Sequence, residues 1–278
     1  MKYVIGIDVG ISTTKIVGIC NGKVISPMRI TAADPITSFH GAFGKYLFDN
    51  KISLSDIEQV VLTGVGSAYV DKLVYDVPMM KADEFDADGM GALFESGLDD
   101  ILVVSMGTGT SFVRCNNDGI RHVGGIGIGG GTLQGLSRLL LKTDDIRQVS
   151  ALAMQGNIKH CNLLINDISA RPLPGLPMTA TASLLGRITA DAPKEDIALG
   201  IIHMVLQSIG SAAVLSALNS GTRDIVLIGN LTLLPQGRDV FPMIEKLYKV
   251  HVRIPKHAEF CTAIGAALVY LEKKNKKK

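Results

Sequence analysis

A chain of 278 residues that is 47% hydrophobic can bury the core of a two-lobed protein, and its balance of 28 basic against 26 acidic residues lacks the charge excess that nucleic-acid binding uses. The four cysteines, Cys20, Cys115, Cys161 and Cys261, are scattered, with no CxxC pair and no Cys/His cluster, which argues against a zinc or iron–sulfur site within one chain and fits a reducing compartment. No uninterrupted apolar run reads as a membrane span and the N-terminus enters a strand pattern without a basic leader, so a cytoplasmic location with no membrane partner is expected.

The chain begins YVIGIDVG, ISTTKIVGIC and NGKVI, which reads as strand, turn, strand, Asn-Gly hairpin and strand. A helix is expected over 36–50, and Ser55 is expected to cap a short helix leading into the strand QVVLTG. Another helix is expected over 86–96. DILVVSMGTGTSFVRC then repeats the opening plan, NNDG is the next turn, and IRHVGG starts a further strand. Two copies of one device, a hydrophobic hairpin with a Gly/Ser/Thr-rich tip, suggest two related lobes facing each other. The run VGGIGIGGGTLQGL (123–136) leads into a helix expected over 132–141. Residues 169–177 read as a loop, and 194–220 as a long helix, apolar nearly all round and hence buried. DIVLIGN (224–230) reads as a core strand ending in a glycine turn, and TAIGAALVYL (262–271) as a small-residue helix. The lysine-rich end from Lys273 reads as a solvated, disordered tail. Hairpins followed by helices indicate an α/β protein with mixed sheets.

The first tip, Asp8-Val-Gly-Ile-Ser-Thr-Thr-Lys15, carries candidate phosphate-binding chemistry. Gly10 permits close backbone approach, the N–H groups from Ile11 onward and the hydroxyls of Ser12, Thr13 and Thr14 can donate to phosphate oxygens, and Lys15 adds a positive charge. Asp8, at the strand end, can hold Mg²⁺ directly or through water. By itself this stretch reads equally well as a polar hairpin turn. The second tip, Gly107-Thr-Gly-Thr-Ser111, has the same physics: Thr108 and Gly109 are candidate nucleotide contacts, and Thr110 and Ser111 candidate substrate contacts. Two such loops facing each other would grip the phosphate tail of ATP, as phosphoryl transfer requires. The turn Gly129-Gly-Gly131 ahead of Thr132 would aim free N–H groups and the positive end of a helix dipole at the nucleotide. Gly124, Gly125 and Gly127 read as room for close backbone packing or a bound substrate.

In order and spacing, DVGISTTK, MGTGTS, VGGIGIGGGTLQGL and CTAIGAALVYL resemble the type II pantothenate kinases of the acetate and sugar kinase, heat-shock ATPase and actin superfamily, over essentially the whole chain. The resemblance implies a two-lobed actin-like ATPase (ribonuclease H-like) fold with mixed sheets and an ATP cleft between lobes. Residues 1–98 would form the N-terminal lobe, with the first phosphate loop and the catalytic base, and 99–278 the C-terminal lobe, with the second loop and the nucleotide site. It also implies ATP and Mg²⁺ as cofactors, pantothenate as substrate and a homodimer. The family's base is the glutamate of an E-F-D-A segment, here Glu84-Phe-Asp-Ala87. On residues alone that segment reads first as a capping cluster on an exposed helix. A carboxylate there can accept the proton of an attacking hydroxyl, and Asp83, Asp86 and Asp88 would raise its pKa if it were partly buried. Thr108, Gly130, Gly131, Thr132, Leu133 and Gln134 match ATP-contacting positions, Asn230 matches a nucleotide turn, and Ile146 a position near the adenine.

One departure stands out. Where the family usually has arginine before Val-Gly-Gly, contacting substrate, this chain has His122, preceded by Arg121. A one-residue shift on a strand points a side chain to the other face, so Arg121 does not replace the missing arginine. A neutral imidazole holds a carboxylate less well than a guanidinium fork. Pantetheine, or a pantothenamide-like molecule with an uncharged far end, is therefore the alternative substrate. Two further readings are a nucleotide-binding regulator without turnover and, from the first tip alone, an ATPase activator of 2-hydroxyacyl-CoA dehydratases. The scattered cysteines argue against the last.

Overall fold

The computed structural model describes residues 2–11, 13–31, 34–70 and 73–276. The first sheet-forming segments are β1 (Tyr3–Val9), β2 (Thr13–Cys20) and β3 (Lys23–Thr31), followed by α1 (Pro35–Asn50), β4 (Ile57–Thr63), β5 (Leu73–Val74), β6 (Val77–Lys81) and α2 (Glu84–Ser96). Next come β7 (Ile101–Met106), β8 (Thr110–Asn116), β9 (Gly119–Ile126), α3 (Gly130–Leu141), α4 (Ile146–Ala153), α5 (Ile158–Cys161), β10 (Leu163–Leu164), α6 (Ile165–Ile168) and β11 (Thr181–Ser183). The chain continues through α7 (Lys194–Asn219), β12 (Asp224–Ile228), α8 (Gly237–Tyr248), β13 (His251–Arg253) and α9 (Cys261–Asn275). The first sheet has the strand order β3-β2-β1-β4-β6-β5, a second β13-β12-β7-β8-β9, and β10 and β11 form a two-stranded sheet. The first is mixed: β1 runs antiparallel to β2 and parallel to β4, and β4 parallel to β6.

The described chain divides into two compact units, one of residues 1–103, 113–122 and 254–278, the other of 104–112 and 123–253. The C-terminal helix thus belongs with the N-terminal segments, whereas a single cut at 98/99 assigns it to the second lobe.

In the first unit, strand alternation sorts side chains onto two faces. Ile5, Ile7, Val9 and Ile16 pack against Phe39, Ala42, Phe43 and Tyr46 of α1. Those four recur at helical spacing, and α1 is started by the Asp34 cap, whose Oδ1 accepts from Thr37 N at 2.8 Å, followed by Pro35. Val4, Val17, Ile19 and Val61 point to the opposite face, against Ala87 of α2 and Ala263, Ile264, Ala266 and Ala267 of α9. Here backbones almost touch. A Cβ on Gly91 would overlap the Cys261 carbonyl, one on Gly265 the Ala87 carbonyl, and one on Gly6 the Ala263 carbonyl. Asp88, buried within α2, accepts from Thr262 Oγ1 at 2.7 Å and pins the two helices in register.

The second unit is built around α7, whose Ile201, Ile202, Val205, Leu206 and Ile209 are buried among α3, α4, α5 and α8. This 26-residue helix is long and apolar enough to cross a membrane, but 72% of its most apolar window is buried inside the protein, as in a core helix. Several expectations needed adjustment. The short helix before β4 is a 3-10 turn capped by Ser53, not Ser55. The lysine-rich end is helical to Asn275, and Lys274 pairs with Glu58. α8 escaped the sequence reading because Pro242 sits inside it.

Gly265→Ala is expected to lose about 1–3 kcal/mol of stability in urea unfolding, as over-packing into backbone does. Wild-type stability for this variant would mean that α2 and α9 can separate without cost.

Candidate active site

Asp8 and Lys15 are register partners on β1 and β2, so alternation places both on the face covered by α2 and α9. Lys15 Nζ lies 3.4 Å from Asp8 Oδ2, with both side chains largely buried. The same alternation turns Thr14 to the α1 face, where it is buried and its Oγ1 accepts from Ser38 Oγ at 2.7 Å. This corrects the expectation for Thr14: its hydroxyl is committed to the core and does not serve a phosphate. Gly10 closes the turn by donating N–H to Thr13 O at 3.0 Å, and a Cβ there would lie 2.7 Å from that same oxygen. Glycine is required at this position by the turn itself, and its amide is already used. Thr13 is half-buried, Ile11 is exposed, and Ser12 lies outside the described residues.

Glu84 opens α2 directly after its cap, Asp83, whose Oδ1 accepts from Phe85 N and Asp86 N at 2.9 and 3.2 Å. Desolvation, then the charges of Asp8 and Asp83, raise its carboxyl above the usual range, and Lys15 opposes them. Solvent still reaches Glu84, which moderates the effect but leaves its sign. Crowding was expected from Asp83, Asp86 and Asp88. Instead Asp8, distant in sequence, takes the place of the latter two, and Asp88 faces Thr262. Among the described residues no three His, Cys, Asp or Glu side chains converge as a metal cage. Asp8 nonetheless suits a hydrated Mg²⁺, which binds through one or two carboxylates, waters and substrate phosphates: its Oδ1 takes no hydrogen bond among the described residues.

His122 and Arg121 on β9 are both exposed. His122 stacks on Phe85, the neighbour of Glu84, with ring centroids 4.1 Å apart and planes 18° from parallel. Ile120, two residues earlier on the same face, packs near Gly89 of α2. His122 therefore faces α2, and Arg121 the other way, as strand alternation predicted.

In the second unit the β7–β8 turn and the start of α3 are fitted together. Gly130 N donates to Gly107 O at 2.8 Å and Gly131 N to Thr108 O at 2.9 Å, so these amides are not free for a nucleotide. A Cβ on Gly129 would come within 2.6 Å of Thr108 O and 2.7 Å of Gly109 O. The glycines at 129–131 thus make room for the chain's own backbone. The hydroxyls of Thr110 and Thr132 are both engaged by the chain itself. Thr110, buried, donates to Ile128 O at 2.8 Å, and Thr132 Oγ1 donates to Gly127 O at 3.0 Å. The Leu133 side chain is fully buried and unable to reach a ligand, while Thr108 and Gln134 are exposed and Gly109 and Ser111 half-buried. Ile146 is half-buried at the first position of α4. Gly229, at φ 94°, turns the chain over Met106 into Asn230, whose Oδ1 is buried with no hydrogen-bond partner among the described residues.

At pH 7 the Glu84→Gln protein is expected to melt above wild type, with the difference shrinking as the pH falls into the ordinary carboxylate range. The folded carboxyl holds its proton more tightly than the unfolded one, so its ionisation at neutral pH opposes folding. Melting curves recorded at both pH values test this, and a lower Tm for the variant at pH 7 contradicts it.

The family model named Fumble matches residues 95–268. The type II pantothenate kinase of Staphylococcus aureus strain USA300 is 32% identical over 235 residues, covering 80% of this chain and 86% of that protein, and the strain MRSA252 enzyme is 31% identical over the same length. Among solved structures, the activator of the 2-hydroxyisocaproyl-CoA dehydratase from Clostridium difficile with bound ADPNP matches 99% of this chain and 96% of its own, with a TM-score of 0.70 at 18% identity. Component A of the Acidaminococcus fermentans (R)-2-hydroxyglutaryl-CoA dehydratase matches 97% of both chains, with a TM-score of 0.68 at 18% identity. These two show the fold, that of the actin-like ATPases with mixed sheets. The sequence relationship shows the family: the chain belongs to the Fumble family, that of the type II pantothenate kinases.

Proposed function

We propose that this kinase-type, ATP-binding protein phosphorylates the primary hydroxyl of pantothenate with ATP and Mg²⁺, the first step of coenzyme A biosynthesis. The observation that carries the reading is the convergence on one face of the first sheet of Asp8, Lys15 and Glu84, the last with a raised carboxyl. In this reading Glu84 accepts the proton of the attacking hydroxyl, its raised pKa bringing it closer to the operating pH. Asp8 carries the hydrated Mg²⁺, which neutralises phosphate charge when bound. Lys15 holds Asp8 in place and supplies positive charge beside it. Thr108, Gln134 and Asn230 of the second unit take the nucleotide. The protein acts in the cytoplasm as a homodimer.

A second acceptor, pantetheine, is favoured by one observation: the exposed group stacked beside the glutamate is an imidazole, without the permanent charge and bidentate fork of arginine. A regulator without turnover is disfavoured by the intact Asp8–Lys15–Glu84 cluster, and an iron–sulfur-bridging activator by cysteines that are all buried.

The test is coupled ATP consumption by the purified protein with Mg²⁺, run on pantothenate and pantetheine side by side. Pantothenate turnover is expected, falling about 10²–10⁴-fold in Glu84→Gln. His122→Arg is expected to favour pantothenate over pantetheine by roughly tenfold more than wild type does. Turnover of pantetheine alone would replace the acceptor, and turnover of neither would return the regulator.

A further inference from the structure

Thr63 ends β4, in parallel register with Asp8 of β1. It lies on the same face as Val61, two residues earlier, which packs among α2 and α9 residues. The residue is 1% exposed, and its Oγ1 has no hydrogen-bond partner among the described residues. On the other flank of β4, Ala82 N donates to Leu62 O at 2.8 Å, so the Ala82–Asp83 link that delivers Glu84 runs beside Thr63. The next residue, Gly64, has φ +82°, and a Cβ there would come within 2.5 Å of Asp8 Oδ1. The carboxylate oxygen without a donor is therefore turned toward the Thr63–Gly64 step. A buried hydroxyl with no partner costs folding free energy that a valine of the same shape would not. Its place between Asp8 and the start of α2 calls for a partner that arrives with the ligands.

We propose that Thr63 is a positioning residue: its hydroxyl hydrogen-bonds a water of the hydrated divalent cation carried by Asp8, and so fixes that cation relative to Glu84. This rests on the reading of Asp8 as the cation residue, not on which acceptor is phosphorylated. The test is a Mn²⁺ titration of the full chain, following the electron paramagnetic resonance signal of free Mn²⁺, for wild type, Thr63→Val and Thr63→Ser. Asp8→Asn, expected to abolish the uptake, identifies the site. Thermal unfolding of the metal-free proteins accompanies it. Thr63→Val is expected to bind Mn²⁺ about five- to tenfold more weakly, and Thr63→Ser within about twofold of wild type. Metal-free Thr63→Val is expected to melt about 2–4 °C higher. A Mn²⁺ affinity unchanged in Thr63→Val, no Mn²⁺ uptake by wild type, or a lower melting temperature for metal-free Thr63→Val overturns the proposal. Failure to turn over pantothenate with these results intact bears on the acceptor alone.

Discussion

The geometry of the first unit depends on the contact where α9 meets α2 and β1 with almost nothing but backbone between them. Gly6, Gly91 and Gly265 each face a main-chain carbonyl of a neighbouring element. The close approach leaves no slack for sliding, because interiors packed this densely shift in discrete steps. Asp88 and Thr262 add a directional tie within the same contact. Glu84 begins the helix that this contact holds, and Asp8 ends a strand beneath it. The separation of Glu84 and Asp8 is therefore set by helix packing on a sheet, which holds tighter tolerances than a loop.

Period-two patterning made the hairpins legible, and the Asn21-Gly22 turn is seen with both residues at positive φ, as that dipeptide suggests. The long buried α7 was equally plain. What the sequence concealed was mostly direction. Thr14 looked like a phosphate hydroxyl because hydroxyls were read without regard to strand parity. Thr110 and Thr132 looked like ligand groups because nothing local tells a self-bonding hydroxyl from a free one. The turn at 129–131 suggests free N–H groups aimed at a nucleotide, whereas the amides of Gly130 and Gly131 bond the β7–β8 turn and the glycines make room for it. The proximity of Asp8 to Glu84 comes from the parallel pairing of β1, β4 and β6, which no local pattern encodes. Thr63 carried no signal at all: a threonine closing an apolar strand is ordinary until its hydroxyl is found without a partner.

Away from the site, several buried polar groups are satisfied in ways that suit their chemistry. Tyr46 donates to Ile25 O at 2.6 Å, and Glu95 accepts from His257 N at 3.2 Å. Glu84 is held near like charges, and of the three side-chain atoms buried without partners among the described residues, two belong to Thr63 and Asn230. Nothing in the structure explains the third, Asn162 Nδ2.

Because α9 packs on β1 and α2 from far along the chain, the α2–α9 contacts that hold Glu84's helix join residues distant in sequence, Asp88 and Thr262 being 174 residues apart. Such contacts form slowly, since chain closure must precede any reward from them. On a ribosome, β1 to α2 emerge long before their covering helix, with the apolar face of Val4, Val17, Ile19 and Val61 uncovered in the meantime. A nascent chain can therefore form its first sheet and its hairpin turns, yet Glu84 is held in place only once α9 has been made and packed.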